Sequence, residues 1–133
     1  MINEDKRERS TNGMNDIPAI VKKMPASHKN VINHVLKKFI GNSNIDSVFL
    51  FGSCAKGIAN KDSDIDIFVV TKSNVVDNSH EAFDVIYGST DDIPLDEYIS
   101  CDILTATVDE FHLGVSPLIK AVKREGVELL GLL

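Results

Sequence analysis

Apolar and polar residues follow one another along the chain in patterns that predict short helices and strands. After a polar opening over 1–16, which we expect to be flexible, a short helix is predicted over 17–24. A stronger apolar stripe then recurs with the 3.6-residue period of an amphipathic helix. Ser27 is its candidate N-cap and Gly41 its candidate C-cap. The stripe consists of Val31, Ile32, Val35, Leu36, Phe39 and Ile40.

Further along, segments rich in β-branched and aromatic residues predict strands at 47–51, 64–70 and 98–106. Helical spacing predicts two helices, at 80–88 and 108–114, and a third that Ser116 or Pro117 opens and that runs to about Glu125. A last edge strand is predicted at 127–130. Together these elements indicate one mixed α/β domain over 17–133.

Composition and charge exclude several classes of function. The chain has 133 residues and a net charge of −6, which argues against non-specific nucleic-acid binding because phosphate backbones require a basic surface. The apolar runs fall far short of the roughly 20 residues that a membrane span needs, and no leader pattern is visible, so we expect a cytoplasmic protein. Cysteines and histidines lack metal-ligand spacing and are expected to be free thiols and ordinary polar residues: Cys54, Cys101, His28, His34, His80 and His112.

Two carboxylates interrupt the most apolar of the predicted strands. Asp64 and Asp66 stand two residues apart and therefore point to the same face, about 6.5–7 Å apart along the chain, while Ile65 and Ile67 point to the other. Two ionised carboxylates that are desolvated side by side repel each other, and a divalent cation removes that penalty. Hard oxygen ligands favour Mg²⁺ or Mn²⁺.

Acids at this spacing also occur in two other kinds of structure. An EF-hand loop needs Gly at its sixth and Glu at its twelfth position, where this chain has Ile67 and Ser73, so that interpretation fails. A solvated surface strand is the other alternative, and the apolar neighbours of the two acids argue against it. Upstream, Gly52-Ser53 after a strand predicts a sharp turn whose amides can approach an anion, although the chain has no P-loop or GxGxxG spacing.

The segment LFGSCAKGIANKDSDIDIFVV resembles the core of the minimal nucleotidyltransferase family, within the DNA polymerase β-like superfamily. The pattern GSxAxG…SDID falls here on Gly52, Ser53, Ala55, Gly57 and Ser63 to Asp66. The resemblance implies a polymerase β palm-like fold, in which a small mixed β-sheet carries helices packed on one side. It also nominates Asp102, in SCDILTATVDEF, as a third carboxylate.

The position of Asp102 agrees with an independent argument. In a strand it alternates with Cys101 and Ile103, so it leaves the face that those two share. If the strands are neighbours, three carboxylates converge on one face. The rival acids lie in polar or turn-like contexts where a solvated carboxylate needs no special role: Asp91, Asp92, Asp96 and Asp109.

The resemblance further implies a two-metal mechanism with ATP as substrate and Mg²⁺, or Mn²⁺, as cofactor. Asp64 and Asp66 would bind both ions, and Asp102 would bind the ion nearest the attacking hydroxyl. Gly52, Ser53, Lys56 and Ser63 would bind the nucleotide, chiefly its phosphates. Members often read GSRARG, so Cys54 and Lys56 are departures, and lysine lacks the planar fork of arginine.

Small members of this family are commonly paired with a helical HEPN protein. The lead interpretation is therefore an adenylyltransferase that transfers AMP to a hydroxyl of such a toxin and acts as an antitoxin. A non-catalytic nucleotide- or partner-binding module is the alternative from another class. A third is transfer to a small molecule or a tRNA end, and for the small molecule a partner or a second copy of the chain would have to complete the site.

Overall fold

A computed structural model gives the architecture, and it describes residues 23–72 and 80–129. The predicted flexible segment 1–16 and almost all of the predicted helix at 17–24 lie outside this range. The longer elements are helices α1 (Ala26–Phe39), α3 (His80–Tyr87) and α5 (Pro117–Glu125) and strands β1 (Ile45–Phe51), β2 (Ile65–Thr71) and β3 (Cys101–Thr107). The shorter ones are α2 (Gly52–Ala55), α4 (Val108–Leu113) and β4 (Val127–Glu128), with a 3₁₀ turn at Leu95–Glu97.

The strands form one four-stranded mixed sheet in the order β3-β2-β1-β4. β1 pairs antiparallel with both β2 and β4, whereas β2 and β3 run parallel. The parallel pair needs a long crossover, and α3 lies within it. This arrangement confirms the mixed α/β class and places the edge strand β4 where the sequence predicted it.

One face of the sheet is covered by α1. Ile65, Ile67 and Val69 of β2 are fully buried there, and their neighbours on β1 are Val48 and Leu50. The predicted apolar stripe of α1 packs onto them, except for Ile40, which is 43% exposed. Ile86 of α3 joins the same cluster. We call this side of the sheet the α1 face, and it forms the larger of the two cores.

The opposite side of the sheet is covered by α4 and α5, and we call it the α4/α5 face. Phe68 and Val70 of β2 are buried there together with Ile119 and Val122 of α5. Phe111 of α4 stacks on Phe49 with ring centroids 5.3 Å apart and lies 5.9 Å from Phe68. The expectation of helices on one side is therefore wrong: helices pack on both faces because β2 is apolar on both.

The helix ends differ from expectation at one place. Pro25, not Ser27, is the N-cap of α1, and its carbonyl accepts hydrogen bonds from the amides of His28 and Lys29 at 3.0 and 3.1 Å. At the other end Gly41 follows the C-cap residue with φ +87°, a left-handed conformation that favours glycine. Ser116 caps α5 as predicted, with its side chain accepting from the Ile119 amide. Within the described residues, none of the helices has the length and apolar character needed to cross a membrane.

Candidate active site

The two predicted carboxylates of the SDID segment lie where β2 begins. Asp64 directly precedes the strand and is exposed, and Asp66 is its second residue and half-buried. Ile65 between them is fully buried on the α1 face. Strand alternation therefore directs Asp66 to the α4/α5 face, as the sequence predicted.

The third predicted carboxylate lies beside them. In the parallel pairing of β2 with β3, Asp66 stands directly opposite Asp102, and Ile65 stands opposite Cys101. Residues paired across neighbouring strands point to the same face, and the strands are about 4.8 Å apart. The exposure along β3 alternates, with Asp102 exposed and both its neighbours half-buried. The fold thus brings Asp102 to the side of Asp66.

The Gly-Ser segment approaches the same carboxylate from the other side. Phe51 at the end of β1 pairs with Asp66, and the chain then turns directly into the single helical turn α2. Gly52 has φ +75°, and a Cβ added to it would overlap the Oδ2 atom of Asp66. Only glycine allows the backbone to lie this close to the Asp66 carboxylate. The structure therefore places Gly52, Asp66 and Asp102 together at one end of the sheet.

The electrostatics of this cluster are unfavourable for negative charge. Burial raises the pKa of Asp66, and the neighbouring charges of Asp102 and Asp64 raise it further. Burial also raises the pKa of the Cys54 thiol to about 11 and that of Cys101 to about 12, with Asp66 contributing to both shifts. Both thiols are free, as predicted, and these shifts leave them protonated and unreactive at neutral pH.

This arrangement of a Gly-Ser turn and three acids coincides with a family match. The family model for "Polymerase beta, Nucleotidyltransferase" matches residues 30–112, which is more than half of the chain. The chain belongs to this nucleotidyltransferase family. The matched segment contains Gly52, Ser53 and all three carboxylates. No curated protein matches the chain.

The donor atoms of this carboxylate cluster suit a divalent cation. Every interaction that shifts the pKa of Asp66 raises it, so the carboxylates repel one another without compensation, and a cation would relieve that repulsion. In residues 23–72 and 80–129 no three His, Cys, Asp or Glu side chains already close around a point that could hold a metal. The carboxylates would therefore have to turn toward a shared ion as it binds.

Two of the predicted nucleotide-binding residues have other contacts. The hydroxyl of Ser63 accepts a hydrogen bond from the Asn60 amide at 3.0 Å and closes a turn. The Nζ atom of Lys56 lies 3.7 Å from Oε1 of Glu125 on α5, and its side chain is half-exposed. A loose, exposed ion pair of this kind is weak and does not fix the position of the Lys56 side chain.

The rival acids have other surroundings in the described part of the nucleotidyltransferase domain. Asp92 contacts His34 at 2.8 Å and also Lys38, and these hydrogen bonds hold its pKa well below the usual range. Asp96 belongs to the 3₁₀ turn and Asp109 to the first turn of α4. Two surface grooves, one beside α1 and one between β3 and α5, also leave out all three site carboxylates.

Sequence reasoning missed one residue at this site. His28 was expected to be an ordinary polar residue, but it is fully buried and its Nε2 atom lies 2.6 Å from the carbonyl oxygen of Ser63. A signal was present, because His28 is three, four and seven residues before Val31, Ile32 and Val35 and therefore shares their face of α1. A histidine on the apolar face of a helix is a buried histidine that needs a partner.

Proposed function

We propose that this nucleotidyltransferase transfers AMP from ATP to a hydroxyl group, in a reaction that requires Mg²⁺ or Mn²⁺. The observation that carries the proposal is the register pair Asp66–Asp102 with the Gly52 backbone against Asp66. A group of acids that raises the pKa of its partly buried member costs stability, and its presence therefore points to a functional use. Cation-assisted phosphoryl chemistry is such a use.

The transfer is a substitution at the α-phosphorus of ATP. The acceptor oxygen forms a bond to that phosphorus, the bond to the β-phosphate oxygen breaks, and pyrophosphate leaves with the electron pair. Bound divalent cations would lower the pKa of the hydroxyl and neutralise the charge on the leaving group. Asp64 and Asp66 would hold these cations. Asp102, which is exposed and beside Asp66, would bind the cation nearest the hydroxyl and would also help to remove the hydroxyl proton.

The triphosphate would lie over the Gly-Ser turn. The first amides of a helical turn have no acceptor within it, so those of Gly52 and Ser53 are suited to phosphate oxygens, as is the Ser53 hydroxyl. Lys56 at the end of this turn would add a positive charge once it leaves Glu125. Ser63 would contribute through the turn that it closes ahead of Asp64.

The acceptor in this proposal is a protein, specifically a helical HEPN-type toxin that the modification inactivates, so that this chain acts as an antitoxin. The resemblance to small nucleotidyltransferases supports this, and so does the surface. Leu113 and Val115, which line the groove between β3 and α5, are each 74% exposed. Apolar side chains grouped in this way are typical of a protein-binding surface.

Labelled ATP tests the proposal. The protein is incubated with Mg²⁺, a lysate of its host and ATP labelled at the α- or the γ-phosphate. We expect a protein to take label from α-labelled ATP only. Asp66→Asn should reduce transfer on the order of 10³-fold or more, since cation-assisted charge stabilisation is worth several kcal/mol. Asp96→Asn, which removes the same charge from the exposed 3₁₀ turn, should leave transfer unchanged.

Other outcomes identify the alternatives. Label from γ-labelled ATP would indicate kinase chemistry and contradict the mechanism. Label in a small molecule or in RNA would keep the chemistry and change the acceptor. If neither label is transferred and Asp66→Asn still binds and neutralises a partner as the wild type does, the chain is a non-catalytic binding module.

A further inference from the structure

The backbone on both sides of Asp64 is held by side chains from two different helices. Before Asp64, the carbonyl of Ser63 accepts a hydrogen bond from Nε2 of His28 at 2.6 Å. After it, the carbonyl of Asp64 itself accepts from the thiol of Cys54 at 3.7 Å. His28 comes from the first turn of α1 and Cys54 from α2, so the two donors belong to separate parts of the fold.

These two contacts fix the direction of one side chain. Peptide units are planar, so anchoring the Ser63 carbonyl fixes the plane that enters Asp64, and anchoring the Asp64 carbonyl fixes the plane that leaves it. The plane that leaves Asp64 also contains the Ile65 amide, which donates to the Ser100 carbonyl at 2.9 Å, so the start of the β2–β3 ladder holds this plane together with Cys54. The plane that enters Asp64 lies ahead of the ladder and is held by His28. The side chain of Asp64 is exposed, but the backbone on both sides of it is held by the buried residues His28 and Cys54.

His28 is the stronger of the two anchors. Its side chain is fully buried, and its bond to Ser63 spans 35 residues of sequence. A carbonyl only accepts, so Nε2 must carry a proton, and Nδ1 faces the hydroxyl of Ser27 at 3.2 Å. Nε2 donates in both the neutral and the charged ring, whereas the thiol of Cys54 is a weak donor.

We propose that His28 is a positioning residue for the cation-binding carboxylates, acting on Asp64 through the Ser63 carbonyl, with Cys54 as a weaker second anchor. The inference rests on the proposed function, because it assigns His28 a role in holding the ion that Asp64 and Asp66 bind. Hydrogen bonds that orient metal ligands typically change metal affinity 10- to 100-fold when removed. A buried histidine that only attaches α1 to the sheet would instead affect stability alone.

A matched pair of variants separates these roles. The amide of glutamine in His28→Gln reaches about as far as Nε2 and can donate to Ser63, whereas His28→Met has similar length and no donor. Mn²⁺ affinity is measured without nucleotide by electron paramagnetic resonance of the free ion, and stability by urea unfolding. We expect His28→Met to weaken Mn²⁺ binding about tenfold or more and His28→Gln to stay within about threefold of wild type.

Two further variants serve as controls. Val35→Ala removes packing from the same buried face of α1 without touching Ser63, so it should lower stability and leave Mn²⁺ affinity unchanged. Cys54→Ala removes the weaker anchor and should give a smaller loss of affinity than His28→Met. If His28→Met does not fold, His28→Asn replaces it, because the shorter amide cannot reach the Ser63 carbonyl.

The results distinguish failure of this inference from failure of the proposed function. If Asp64→Asn abolishes Mn²⁺ binding while His28→Met or His28→Asn binds as tightly as wild type, His28 has only a structural role and the inference is wrong. If the wild type does not bind Mn²⁺, or Asp64→Asn binds it unchanged, the carboxylates do not form the metal site. In that case the proposed function and the inference are both contradicted.

Discussion

The two faces of the sheet differ in the side chains that they carry. On the α1 face, β2 contributes three fully buried aliphatic side chains, and those of α1 close over them. On the α4/α5 face the same strand begins with Asp66, next to Asp102, and becomes apolar only from Phe68 onward. The first face is mainly apolar, whereas the second is divided between a charged end and an apolar end.

This difference shows how a small domain tolerates a repulsive site. Partial burial of Asp66 raises its pKa, the nearby charges of Asp102 and Asp64 raise it further, and the energy that this costs must be recovered elsewhere. The continuous core on the α1 face can supply it through buried apolar area. Stability and chemistry are thus separated by the alternation of side chains along a single strand.

Truncating a buried side chain on the α1 face should give the largest effect on stability. Phe39 is fully buried in that core, so Phe39→Ala should lower the free energy of unfolding by about 3–5 kcal/mol, as measured by urea unfolding. Phe111 on the other face is only half-buried, and Phe111→Ala should cost less, about 1–3 kcal/mol. An equal or larger loss for Phe111→Ala would contradict the assignment of stability to the α1 face.

A second pair of variants tests the close approach of the turn to Asp66. Gly52 and Gly41 both have positive φ, so alanine at either should cost roughly 1–2 kcal/mol of stability. A Cβ at Gly41 meets nothing within 4 Å, whereas one at Gly52 overlaps the Asp66 carboxylate. We therefore expect Gly52→Ala to lower transfer activity up to about 100-fold and Gly41→Ala to leave it unchanged. Equal activities in the two variants would show that the contact has no role.

The smallest effect concerns the charge of Asp66 itself. Because the pKa of Asp66 in the folded protein is raised above its ordinary value of 3.8, the folded protein keeps this proton to higher pH than the unfolded chain does. Stability should therefore fall as pH rises from about 3.8 through the raised folded-state pKa. Asp66→Asn lacks this contribution, so it should be more stable than the metal-free wild type at pH 7 and equal to it at low pH. Urea unfolding at several pH values measures the difference in stability between Asp66→Asn and the wild type, and added Mg²⁺ should reduce it. If Asp66→Asn is less stable than the metal-free wild type at pH 7, the carboxylates do not repel one another as described.

Local pattern was enough to predict most of the secondary structure. All the predicted strands and helices that fall within the described residues are present, because each has a clear apolar period and ends at a turn or cap residue. The N-cap of α1 was misplaced, since Ser27 has the right side chain but Pro25 occupies the position. The helices were expected on one side, although the unbroken run of five buried residues from Ile67 to Thr71 is itself typical of a strand covered on both faces.

The candidate site was predictable in its residues but not in its contacts. Alternation alone places Asp64 and Asp66 on one face and turns Asp102 away from its neighbours. The pairing of Asp66 with Asp102 depends on β2 and β3 lying side by side in parallel with this register. The contact of His28 with Ser63 joins residues 35 apart, and no local pattern specifies such a distance.

The sequence by itself determined the elements, the family pattern and the three acids, because these depend on residue type and on spacings of a few positions. Only the tertiary structure decided that Gly52 lies against Asp66, that β3 brings Asp102 beside it, and that α1 anchors the chain ahead of Asp64. These contacts link residues that are distant in the chain. Their geometry follows from how the whole sheet twists and packs, to which every element contributes.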